Sequence, residues 1–158
     1  MKKALFVLLL VGVGAFPYAV LLEMTRITPI VEVSFVFGLA CAIALFILGR
    51  RGFWSARQLA LGSMAVKLVQ IPAYAAWFIL GAAFFLFAGF ALAFIVDAMA
   101  ILLSGLVGLA AVLRCRVEGK LERKAAVIHG ILQFVFCADV FSAVWVYIKS
   151  RKEKESSI

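Results

Sequence analysis

Four ionisable side chains lie inside long apolar stretches of this chain: Lys67, Asp97, His129 and Asp139. A charge in such surroundings is expensive unless something pairs it, so these four are where chemistry is sought first. On an α-helix, Lys67 shares a face about 80° wide with Ser63, Gln70, Tyr74, Trp77 and Gly81. Asp97 shares a face with Ala100, Ser104, Gly108 and Ala111, and Ala100, Ser104 and Gly108 form a small-xxx-small series suited to close helix packing. His129, Gln133, Phe136, Asp139, Ala143 and Tyr147 gather within about 120° on a later helix. The candidate polar cluster is therefore Lys67, Gln70, Tyr74, Asp97, Ser104, Gln133 and Asp139.

Two kinds of chemistry fit this cluster. In one, Lys67 pairs with an aspartate, the other aspartate finds Tyr74, Gln70 or Ser104, and the polar groups fix helix packing. In the other, Asp97 and Asp139 line a cavity and titrate, or bind a cation or a basic small molecule, with Lys67 as the internal counter-charge of a proton-coupled carrier. His129 is the one histidine and has no second His, Cys pair or carboxylate at ligand spacing, so an interfacial hydrogen bond is expected of it rather than a metal. Cys41, Cys115 and Cys137 are far apart and form no Cys-x-x-Cys. Gly12-x-Gly14 lacks the third glycine and the preceding strand of a dinucleotide fingerprint, and no phosphate loop, serine elbow or His-Glu-x-x-His occurs. No catalytic residue, cofactor or metal is assigned, and an intramembrane enzyme ranks third.

The elements that must position these groups follow from composition. The chain has 158 residues, 66% hydrophobic and 15% charged, with a mean hydropathy of +1.15. Soluble domains are nearer 45–50% apolar and about 25% charged, so this chain belongs in a bilayer. Apolar runs give helices over about 4–22, 33–48, 56–81, 90–113 and 125–148, an all-α polytopic bundle of about five spans in one transmembrane domain. A loop covers Glu23–Glu32, a turn falls within Gly81–Gly89, and residues 149–158 form a polar, basic tail. Pro72 lies inside the third helix and is expected to kink it. The first helix also has the layout of a secretory signal, with a small-residue cleavage point at Val13-Gly14-Ala15. Trp54, Trp77, Trp145 and Tyr147 fit interfacial anchors, Trp77 also a pocket wall.

The net charge of +8 comes from basic clusters flanking the apolar runs, which points to lipid headgroups rather than nucleic acid. With the amino terminus in the cytoplasm, Lys2, Lys3, Arg50, Arg51, Arg57 and the basic residues of 114–124 face inward. That is ten against five: Arg26, Lys149, Arg151, Lys152 and Lys154. Five spans thus leave a basic tail on the wrong side, and a re-entrant last segment would return it. Counting 1.5 Å per residue, Lys67 lies roughly 15 Å deep, Gln133 roughly 14 Å, and Asp97 and Asp139 roughly 23 Å.

The run Lys67-Leu-Val-Gln-Ile-Pro-Ala-Tyr, then Gly81, Asp97 and Leu-Ser-Gly-Leu-Val-Gly-Leu-Ala from Leu103, resembles small bacterial membrane proteins grouped as domains of unknown function. The resemblance spans Phe53 to Leu113 and implies a bacterial cytoplasmic (inner) membrane, but no activity. With no internal repeat, so small a chain needs a homo-oligomer or a partner membrane protein to enclose a pathway. The leading expectation is a non-enzymatic accessory, assembly or regulatory membrane protein, with the 114–124 loop on anionic lipid. The alternative is a small-solute or ion carrier using Asp97 and Asp139.

Overall fold

The structure, a computed structural model, describes residues 2–23, 30–84, 88–135 and 137–151. Most of the expected 23–32 loop, the middle of the 81–89 turn, Phe136 and the tail from residue 152 lie outside the described residues. The described residues form seven helices: α1 (Lys2–Gly14), α2 (Phe16–Glu23), α3 (Ile30–Arg50), α4 (Ala56–Phe84), α5 (Ala88–Val117), α6 (Arg123–Leu132) and α7 (Ala138–Arg151). Three contain stretches long and apolar enough to cross a membrane, Val31–Arg50, Ala56–Leu80 and Ala93–Val117. The bent pair α1–α2 makes up to four. Large apolar side chains such as Leu8, Val36, Phe94 and Phe141 face outward, as they would against lipid.

The first expected helix is bent by 46° between α1 and α2. Pro17 has no N–H to give the Val13 carbonyl four residues earlier, and the Gln70 side-chain amide donates to that carbonyl instead, at 3.4 Å. In α4, Pro72 likewise withholds a donor from Leu68, and the Tyr18 hydroxyl donates to the adjacent Val69 carbonyl. The two proline-weakened stretches thus face each other, each supplied with a donor by the other. Trp77 packs inside the bundle. It is buried, and its indole N–H donates to the Pro17 carbonyl at 3.3 Å, since a buried indole must find an acceptor.

Helix α5 runs through the centre of the bundle. Ala100, Leu103, Ser104, Val107, Ala110 and Val112 are fully enclosed, and α3, α4, α6 and α7 all pack on it. Its small residues let the neighbours come close.

The expected continuous helix over 125–148 is broken into α6 and α7. The chain tightens through Phe134 N–H to Ile131 O (3.0 Å) and Val135 N–H to Leu132 O (3.3 Å), and Cys137 takes φ +63°. The two helices then run antiparallel. Gln133 bonds Ser142 at 3.0 Å, His129 stacks on Trp145 with ring centroids 3.9 Å apart, and Lys120 donates to the Ser150 carbonyl at 3.0 Å. The hairpin therefore returns to the end of the bundle it left. A helix-wide stripe from His129 to Tyr147 does not exist, because its members lie on two helices.

That end is shared by the start of α1, the α3–α4 and α5–α6 turns and the end of α7. The Trp54 indole donates to the Lys2 carbonyl at 3.3 Å, joining the start of α1 to the α3–α4 turn. Glu118 accepts from the Ala56 amide at 2.9 Å, from Arg114 at 3.0 Å and from Lys120 at 3.2 Å. Partial burial alone would raise this carboxyl, but the Ala56 amide and the two cations together hold it below its usual value.

Candidate functional site

Lys67 sits eleven residues into α4, roughly 16 Å from its start. The ten residues of α6 rise about 15 Å from the same end. The lysine and the hairpin tip therefore meet at one level. The ammonium, only 1% exposed, donates to Asp139 Oδ2 at 2.9 Å and to the Gln133 carbonyl at 3.2 Å. Gln133 closes α6 and Asp139 opens α7. The cation thus lies between the negative pole of one helix and the carboxylate stationed at the positive pole of the next.

The tip is seated on α5 where that helix has no side chains. A Cβ on Gly108 would stand 2.0 Å from Gln133 Oε1, and one on Gly105 2.6 Å from the Phe134 ring and 3.0 Å from the Gln133 carbonyl. Gly108 of the expected small-residue series and its neighbour Gly105 thus receive the hairpin within the same chain. Ser142 bridges the two arms: its hydroxyl lies 2.9 Å from His129 Nδ1 and donates to the His129 carbonyl at 3.3 Å. His129 makes the hydrogen bond expected of it, to Ser142 within the hairpin.

Asp97 stands apart from this clamp. It is half-buried on α5, yet its Oδ1 is enclosed and has no hydrogen-bond partner among the described residues. It lines a groove of about 840 Å³ with Phe78, Phe94, Ile101 and Phe134. A second groove of about 520 Å³ shares Phe78, Asp97 and Ile101 and adds Tyr74, Asp139 and Phe141.

The structure thus brings together Lys67, Gln133 and Asp139 in direct contact. Tyr74 lines the smaller groove together with Asp139 and Asp97, and it donates to Gln70 Oε1 at 3.1 Å. Gln70 is turned toward α1, and Ser104 donates to the Ile101 carbonyl of its own helix at 3.4 Å. Neither touches the ion pair. Gln133 contributes its backbone carbonyl to Lys67, not the side chain. Two groups escaped the sequence: Ser142, visible only once the hairpin is known, and the rings around Asp97. Phe94 at three residues before Asp97, and Phe78 at four after Tyr74, carried a readable signal, since both spacings place them on the polar faces.

No curated protein and no solved structure matches the chain. A family model covers residues 33–152, a range that includes Lys67, Asp97, the α5 glycines and the whole hairpin, and the chain belongs to that family, the family of unknown function DUF6652.

Proposed function

We propose that the protein is a non-enzymatic accessory or regulatory protein of the bacterial cytoplasmic membrane. One observation carries this: the buried cation Lys67 is held by two partners, the Asp139 carboxylate and the Gln133 carbonyl. Such a clamp holds a re-entrant hairpin rigid and leaves neither group to act on a substrate. Four crossings and one hairpin that enters and leaves on the same side then replace five crossings.

The charge distribution supports an orientation. With the hairpin returning, Lys149 and Arg151 join Lys2, Lys3, Arg50, Arg51, Arg57 and the basic residues of 114–124 at one end. Basic ends stay in the cytoplasm, so that end is assigned there, against anionic headgroups. An accessory protein should co-elute with a stoichiometric partner after extraction in mild detergent. A clean homomer without a partner would count against this role.

The enclosed Oδ1 of Asp97, unpartnered among the described residues, favours a second function, a carrier. It requires proteoliposome uptake that depends on pH or a cation and is lost in Asp97→Asn. Asp139 is reassigned to the clamp in this version.

A further inference from the structure

Asp97 is an acid set among rings. Phe78 and Phe94, which line its larger groove, are 64% and 75% exposed, and Phe141 in the smaller groove is 78% exposed. Phe134 of the hairpin tip also lines the larger groove. The carboxylate stands where the two grooves meet, because Phe78, Asp97 and Ile101 line both.

The charges nearby narrow the ligand. Among the described residues no lysine or arginine lines either groove, and Lys67 is held by Asp139 and Gln133. Asp139 is the other carboxylate at the smaller groove, already paired. A hydrated metal cation is a poor match, since hard cations need several oxygen ligands and these walls are hydrocarbon. A neutral lipid chain would leave the Asp97 oxygen without a partner, at a desolvation cost. A bulky organic cation satisfies both constraints: its charge meets the carboxylate, its apolar body fills the groove, and the ring faces attract it by cation–π contact.

The geometry points to a binding site for a lipophilic organic monocation, such as a tertiary or quaternary amine, entering sideways from the bilayer onto Asp97 between Phe78 and Phe94. This deepens the carrier function by naming its ligand class, yet a regulatory protein could use the same site as a sensor.

The test is equilibrium binding of radiolabelled tetraphenylphosphonium to the full chain in phosphatidylcholine nanodiscs, with empty nanodiscs subtracted. Saturable binding is expected, weakened roughly tenfold or more in Asp97→Asn, an effect of ordinary size for one charge contact. Phe94→Ala, at a ring facing lipid, should weaken it by about threefold. Tetraphenylborate, of the same size and opposite charge, should not compete. Equal binding by Asp97→Asn, effective competition by tetraphenylborate, or no saturable binding would overturn the site. Should Asp97→Asn fail to accumulate, carbodiimide labelling of Asp97 in the wild-type chain replaces it: slowing by tetraphenylphosphonium supports the site, and an unchanged rate overturns it. Binding without uptake into proteoliposomes upholds the site and removes only the carrier function.

Discussion

Removing the Lys67 ammonium would leave the Asp139 carboxylate and the Gln133 carbonyl buried together with no donor between them. Breaking one side of a buried pair costs about 3–5 kcal/mol, whereas replacing both partners with apolar residues of similar size is often neutral. Lys67→Met should therefore lower thermal stability in detergent sharply, and Lys67→Met with Asp139→Leu should recover much of the loss. Equal damage in the double variant would show that the pair itself was not the cost. The pairing of Lys67 with an aspartate was legible in the sequence, because a buried ammonium must find an anion. Which aspartate was not. Asp97 and Asp139 had the same estimated depth on straight helices, and only the break in the last helix brings Asp139 to the lysine and leaves Asp97 among rings.

That break marks the limit of what the sequence carries at the scale of elements. The segment Ile131–Ala138 contains neither glycine nor proline, so local propensity continues the helix. The turn is imposed from outside, by Lys67 on the Gln133 carbonyl and by the bare backbone of Gly105 and Gly108 beneath the tip. Its local cost is visible at Cys137, whose φ of +63° is a left-handed conformation costing a non-glycine residue about 1–2 kcal/mol. Cys137→Gly should raise the melting temperature, and Cys137→Val, with a β-branched side chain at positive φ, should lower it. The opposite order would remove the strained turn. Elsewhere the apolar runs did locate helices α3, α4 and α5 closely, since length and hydropathy alone decide them. The bend between α1 and α2 was less legible, although Pro17 stood in plain view, because its orphaned carbonyl is answered by a residue 57 positions away.

For the whole molecule, the hairpin sets which end of the bundle the charges of α7 occupy. One basic end gathers the start of α1, both turns that flank α4 and α5, and the end of α7, with Glu118 bonded to Ala56, Arg114 and Lys120 at its centre. Glu118 has a folded-state value below the ordinary one. Its stabilising contribution is therefore complete above the ordinary glutamate value, about 4.3, and is lost as pH falls through it and below. The melting temperature of the wild type should exceed that of Glu118→Gln at neutral pH, with the gap closing on acidification; a gap that widens would contradict the assignment. The central claim is that the last two helices form a re-entrant hairpin and return the chain to the side it came from. Single cysteines at Arg51→Cys, Glu122→Cys, Arg151→Cys and Leu22→Cys, in a chain with Cys137→Ala, can be reacted with an impermeant maleimide in oriented vesicles. Positions 51, 122 and 151 should label from one side and position 22 from the other. Labelling of position 151 together with position 22 would mean a fifth crossing and would contradict the re-entrant hairpin.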